Sequence, residues 1–194
     1  MDLPRLADMD VAGKRVLVRA DLNVPLKDGR IADDSRIRAA MPTFRDVLDR
    51  GGRLVVAAHL GRPRGRRDPD DSLRPVADAL REALNGATVA FAEDCVGKAA
   101  EQAVARLGDG DCLVLENLRF HPGETDNAPD FAAALAGLAD LYVNDAFSAS
   151  HRAHASIVGV PERLPAAAGH LMETELASLG QLLGDPHRPF VAIL

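Results

Sequence analysis

Arginine and histidine recur in this sequence where apolar, strand-like runs give way to loops. His59 and Arg62 fall in H-L-G-R-P, Arg119 in N-L-R-F, and Arg152 in S-H-R-A with His151 beside it. Asp21 and Asn23 follow the first such run, K-R-V-L-V-R-A, and Arg36 opens the helical pattern after it. A guanidinium presents a planar fork of donors that matches carboxylate and phosphate oxygens two at a time, which a lysine ammonium cannot do. The expected guest of such a set is a small dianion. Each charge-assisted hydrogen bond contributes roughly 1.5–3 kcal/mol, so three or four arginines offset a large desolvation cost if their loops are held in place. Asp21 is the exception, because a carboxylate repels an anion. Its expected part is to accept from a hydroxyl of the guest, or to orient a neighbouring arginine.

The elements that must position these residues are readable from periodicity. Lys14 to Ala20 reads as a strand, and Asp28-Gly29 marks a tight hairpin turn after it. From Ser35 the period changes: Ile37, Met41, Phe44, Val47 and Leu48 share one helical face, and Gly51-Gly52 ends it. Arg53 to Leu60 reads as the second strand, followed by a helical pattern from Leu73 to Leu84. The alternation continues with strands over 88–91, 112–115 and 141–143 and helices over 96–107, 129–138 and 172–183. Such alternation predicts an α/β fold, a Rossmann-like three-layer sandwich whose mostly parallel sheet is flanked by helices. In that architecture the carboxyl ends of the strands lie along one edge, where ligands bind. Four loops, after the first, second, fourth and fifth strands, would then converge there.

Composition narrows the alternatives. The 194 residues carry a formal net charge of −6, which argues against a surface built to neutralise nucleic acid or anionic lipid. The longest apolar runs, such as Leu54 to Ala58 and Phe131 to Ala136, fall far short of the ~18 residues that span a bilayer. No basic stretch followed by an apolar one opens the chain, so no secretory or transit signal is legible and the expected location is the cytoplasm. Cys95 and Cys112 lack the close spacing of a metal or redox site and read as two buried thiols. The pair His151 and His154 has helical spacing but no third ligand nearby in sequence, so no metal site is expected. His154 reads as a structural hydrogen-bonder. Asp34 or Ser35 is expected to cap the helix presenting Arg36, and Arg64, Arg66 and Arg67 to lie in a solvated loop balanced by Asp68, Asp70 and Asp71.

Five segments carry a more specific signal: R-A-D-L-N-V-P (19–25), D-S-R-I-R-A-A (34–40), A-H-L-G-R-P (58–63), L-E-N-L-R-F-H (115–121) and N-D-A-F-S-A-S-H-R-A-H (144–154). In this order they resemble the successive signatures of phosphoglycerate kinase. The resemblance implies phosphoryl transfer between 1,3-bisphosphoglycerate and ADP, or in reverse between 3-phosphoglycerate and ATP, with magnesium nucleotide in a full-length, monomeric enzyme. By the same resemblance, His59, Arg62, Arg119 and Arg152 hold the 3-phosphate with His151 adjacent. Asp21 and Asn23 contact the glycerate hydroxyl and carboxylate, and Arg36 stabilises charge on the transferring phosphoryl group. If His59 acts there as a cation, affinity should fall as pH rises through its ordinary pKa of ~6.5.

The sequence departs from that pattern in places. Ala20, Leu22 and Ala58 are core-type exchanges, whereas Ser148-Ala149-Ser150 stands where Gly-Thr-Ala is usual, and a glycine at 148 would let the backbone approach the ligand closely. No G-x-x-x-x-G-K-[ST] or G-x-G-x-x-G loop occurs, so no nucleotide cradle is expected in these residues. The expected division is a substrate-binding domain over 1–184, including an interdomain helix over about 172–183. A boundary and the first strand of a missing nucleotide-binding domain would occupy 185–194, that strand being disordered, packed elsewhere or paired with another molecule. The chain as given is expected to bind 3-phosphoglycerate, to hold no nucleotide and to transfer nothing. A stand-alone binding module for phosphorylated metabolites is the alternative.

Overall fold

The structure is a computed structural model that describes residues 3–183, 188, 190 and 191. Strand β1 (Arg15–Ala20) is an apolar run in which alternate side chains face opposite sides, Val16, Val18 and Ala20 entering one core cluster and Leu17 the other. It lies near the middle of a six-stranded sheet with β4 (Arg53–Ala57), β5 (Val89–Phe91), β6 (Cys112–Val114), β7 (Leu141–Asp145) and β8 (Ala166–Ala168). Their order is β5-β6-β4-β1-β7-β8 and every pairing is parallel. Strands buried on both faces need apolar residues at every position, and β4 supplies them as Leu54, Val55, Val56 and Ala57, all fully buried.

Helices cover both faces, giving the expected three layers. Helices α1 (Ser35–Asp49) and α2 (Arg74–Ala83) bury Ile37, Phe44, Val47, Val76 and Leu80 against one side. On the other side α3 (Gly97–Val104) and α5 (Pro129–Ala136), which follows the short α4 (Pro122–Thr125), bury Ala100, Val104, Phe131 and Leu135. Two short strands, β2 (Leu26–Lys27) and β3 (Arg30–Ile31), form the expected hairpin. Its two turn residues take left-handed conformations, at φ 52° for Asp28 and 72° for Gly29, as that turn requires.

Three elements differ from the sequence reading. β4 stops at Ala57, because the backbone carbonyl of Leu60 is taken by the Asn117 side-chain amide (2.7 Å) and that of Ala58 by the Leu118 N–H (3.1 Å), which turns 58–60 into loop. β8 is three alanines, without the β-branched or aromatic residues that mark a strand. It forms because β7 offers it a free edge, and its Ala168 N–H bonds the Pro4 carbonyl (2.8 Å). Helix α6 (His170–Leu183) begins earlier than its apolar pattern, since Oδ1 of Asp145 accepts from the N–H groups of Leu171 (2.9 Å) and Met172 (3.2 Å). The strand expected over 189–194 and the boundary before it lie largely outside the described residues, among which Phe190 and Val191 are exposed and belong to no strand. No described helix is long and apolar enough to cross a membrane.

Candidate functional site

Outgoing connections from the adjacent strands β1 and β7 leave in opposite directions, β1 toward β4 and β7 toward β8. Such a switch point opens a crevice at the carboxyl edge of a parallel sheet. A cavity of about 160 Å³ lies in this region, lined by Asp21, Asn23, Arg36, His59, Arg62, Arg119, Ser148, Ala149, His151 and Arg152. All eight residues singled out from the sequence are therefore brought to one place. A larger hollow of about 540 Å³ near Leu48, Leu84 and Asp109–Asp111 gathers one arginine, Arg45, among three aspartates and offers no comparable convergence.

Charge in the pocket is unbalanced. Arg36, Arg62, Arg119 and Arg152 face a single carboxylate, Asp21. Burial and the like charges of Arg19, Arg152 and Arg62 press the Arg119 pKa downward, and its Nε is buried without a partner. Asp21 is itself held from two sides, Oδ2 accepting from Arg36 Nη1 and from Ser148 Oγ (2.6 Å), while its Oδ1 is buried and unpartnered. Four guanidiniums around one cavity with a single carboxylate point to a ligand that carries anionic oxygens.

The loop carrying His59 and Arg62 is pinned at Gly61. Asn23 Oδ1 accepts its N–H (2.9 Å) and Arg119 Nη1 donates to its carbonyl (3.2 Å). Gly61 sits at φ 62° above the Asp71 carboxylate, which a Cβ there would strike. Beneath, Asn117 donates to the carbonyls of Leu60 (2.7 Å) and Asp71 (2.8 Å) and accepts from the Arg119 N–H (3.0 Å). Fully buried Asn117 thus ties two of the converging loops together.

Arg19, missed as a site residue, governs His59 from behind. It is fully buried and donates from Nη2 to His59 Nδ1 (2.9 Å), from Nη1 to the Ala20 carbonyl (2.6 Å) and from Nε to Ser156 Oγ (2.9 Å). Ser156 Oγ in turn donates to fully buried Glu124 at Oε1 (2.6 Å), and Tyr142 donates its hydroxyl proton to the Ser156 carbonyl (2.6 Å). Burial and the nearby Arg19 and Arg119 charges push the His59 pKa from 6.5 down to about 2, so the imidazole is neutral. The cationic role considered for His59 is corrected: a guanidinium only donates, so Nδ1 is the acceptor and Nε2 bears the proton. His59 is a neutral hydrogen-bond donor.

Other features also differ from expectation. Asp34 does not cap α1 with its side chain; it pairs with Arg38, and Asp33 Oδ1 accepts the Ser35 N–H (2.7 Å). Asp68 accepts from the Asp70 N–H (3.1 Å), while Arg67 reaches the Glu93 carbonyl and lies over the Phe120 ring. His154 is buried with Nδ1 unpartnered, 3.8 Å from Glu124 Oε1. The cysteines, by contrast, are free and buried as expected, burial pushing Cys112 up to about 12. Ligating atoms of Asp94, Cys95 and His121 come within 4.8 Å of one another. Asp94 Oδ1 already accepts the Cys95 N–H (2.7 Å) and lies 2.6 Å from His121 Nε2, and burial raises the Cys95 thiol, disfavouring the thiolate a metal needs.

The family profile described as phosphoglycerate kinase matches residues 6–194. Phosphoglycerate kinase from Xanthobacter autotrophicus is 57% identical over 189 residues, covering 97% of this chain and 47% of that protein. The enzyme of Xanthobacter flavus is 55% identical over 186 residues, covering 96% and 46%. Among solved structures, phosphoglycerate kinase from Coxiella burnetii superposes with a TM-score of 0.85 at 34% identity, covering 97% of this chain and 47% of that one. The enzyme from Pyrococcus horikoshii gives 0.86 at 32% identity, covering 96% and 47%. The chain spans about half the length of the curated relatives it matches.

Proposed function

The chain belongs to the phosphoglycerate kinase family, and on that premise we propose that its basic pocket binds 3-phosphoglycerate or 1,3-bisphosphoglycerate, as the acid-substrate half of phosphoryl transfer to and from ADP. The observation that carries this reading is the convergence of Arg36, Arg62, Arg119 and Arg152 on one cavity that holds a single carboxylate, Asp21. A phosphorylated hydroxy acid offers phosphate and carboxylate oxygens to these guanidiniums and a hydroxyl to the polar end of the pocket at Asp21 and Asn23. In this reading Arg62, Arg119 and Arg152 hold the 3-phosphate, with His59 adding a neutral N–H and His151 standing beside Arg152. Asn23 and Asp21 bind the glycerate end.

Arg36 is half-exposed and paired with Asp21. We assign it to the carboxyl group that carries or receives the phosphoryl group, where it stabilises developing negative charge. Phosphoryl transfer depends on positioning and charge stabilisation, so no covalent residue is needed. The pocket does not fit a magnesium ion, because its one carboxylate has Oδ2 committed to Arg36 and Ser148 and faces four guanidiniums. Magnesium nucleotide enters this reading only through the full-length enzyme of the family, and cytoplasmic residence accompanies it.

The test is calorimetric titration of this chain with 3-phosphoglycerate at two ionic strengths. Saturable one-site binding that weakens with salt is expected. No binding at millimolar ligand would overturn the reading.

A further inference from the structure

Arg62 sits in the long connection from β4 to α2, and the chain that follows β6 closes that connection at its base. At one end the Asn117 side-chain amide donates to the carbonyl of Leu60 (2.7 Å). At the other end it donates to that of Asp71 (2.8 Å), and Glu116 takes the next two residues. Oε2 of Glu116 accepts from Ser72 Oγ (2.8 Å) and Oε1 from the Leu73 N–H (2.9 Å), at the start of α2. Oε1 also accepts the Asn117 N–H (2.9 Å), so the residue that grips the far end steadies the one that grips both. Glu116 is buried, and these three partners are neutral donors that satisfy its carboxylate. It does not line the pocket, but Arg62 and Arg119, which do, stand two residues beyond Leu60 and Asn117.

We propose that Glu116 is a positioning residue for the pocket: by tying Ser72 and Leu73 to Asn117 it closes the segment 61–70 at its base and sets where the Arg62 guanidinium stands relative to Arg119. The inference rests on the reading of the pocket as a phosphoglycerate site. A segment with loose ends loses conformational entropy when an anion orders it, and closing it beforehand moves that loss from binding into folding. The role needs acceptors and not charge. A glutamine keeps Oε1 for the Leu73 and Asn117 N–H groups, and its amide N–H can donate to Ser72 Oγ, because a hydroxyl accepts as well as donates.

The experiment measures calorimetric affinity for 3-phosphoglycerate, and amide hydrogen exchange by NMR, in the wild type, Glu116→Ala and Glu116→Gln. Glu116→Ala is expected to bind at least about tenfold more weakly, the equivalent of one charge-assisted contact, and to exchange the Gly61 and Gly65 amides at least about tenfold faster without a matching change in β1. Those two N–H groups bond Asn23 Oδ1 (2.9 Å) and the Arg119 carbonyl (3.0 Å), so they report on the loop and not the sheet. Glu116→Gln should bind within about threefold of the wild type. A merely structural role would speed exchange throughout the chain and leave the affinity of the folded protein unchanged. That result overturns the proposal while leaving the pocket reading intact, and so does a loss in Glu116→Gln as large as in Glu116→Ala. If Glu116→Ala does not fold, Ser72→Ala removes one of the three donors at a half-buried position and should weaken binding by at least about threefold; wild-type affinity there overturns the proposal in the same way. If the wild type does not bind 3-phosphoglycerate, the pocket reading fails and this inference falls with it.

Discussion

Arg19 Nη2 lies 2.9 Å from His59 Nδ1, and because a guanidinium can only donate, this contact sets which imidazole nitrogen bears the proton. Arg19 is steadied by Ser156 and, through it, by buried Glu124. A cationic site therefore contains a histidine that contributes direction and no charge.

His59 should not titrate near neutrality. Its pKa is held at about 2, so imidazole resonances followed by NMR should stay fixed from about pH 5.5 to 8 and show the Nε2–H tautomer. A midpoint near 6.5 for His59 would contradict the account.

Stability should fall in mild acid. The folded-state pKa of His59 is depressed, so below the unfolded value of ~6.5 the unfolded chain binds more protons. The contribution is complete above pH 6.5 and is lost as pH drops from there toward 2, with a slope of up to roughly 1.4 kcal/mol per pH unit. His154, lowered by burial against the opposing Glu124 charge, acts in the same sense. Urea denaturation at pH 7 and pH 5 should show the loss, and His59→Gln should flatten it; an unchanged slope in that variant would count against the assignment.

Glu124→Ala should destabilise the chain by about 3–5 kcal/mol, because it strips the buried carboxylate from a network holding buried Arg19. Denaturant unfolding measures this directly. A cost under about 1 kcal/mol would mean that the network does not hold Arg19.

Gly61→Ala should damage binding more than stability. A Cβ at φ 62° is strained and runs into the Asp71 carboxylate, displacing the loop that carries His59 and Arg62. The expected stability cost is about 1–3 kcal/mol with at least about a tenfold loss of affinity. Wild-type affinity in Gly61→Ala would show that the pinned loop is not needed.

The layers of the fold were legible because each strand and helix carries its own period in a contiguous run. Residues 14–20 and 35–49 read correctly for that reason, whereas β8, made of Ala166–Ala168, has no local signal and exists only through its neighbour β7. The rim of the pocket was legible as polar residues interrupting strand ends, sharpened by family resemblance. What supports the rim was not. Arg19 gave one clue, a cation inside an apolar strand, but its partner Ser156 is 137 positions away and Ser156 meets Glu124 across 32. Asn117 reaches back to Leu60 across 57 residues. Such pairings are set by the packing of the whole sheet and leave no spacing to read. The charge state of His59 was hidden likewise, since burial and a cation behind the ring decide it.

The most direct test of the central claim compares Arg62→Ala with Arg64→Ala in calorimetric titrations with 3-phosphoglycerate. Among the described residues the Arg62 guanidinium makes no hydrogen bond and lines the pocket, whereas Arg64 lies two residues on and does not line it. The account predicts that Arg62→Ala lowers affinity by at least about tenfold, the loss of one charge-assisted contact, while Arg64→Ala binds as the wild type does. Equal affinity in wild type and Arg62→Ala would contradict it.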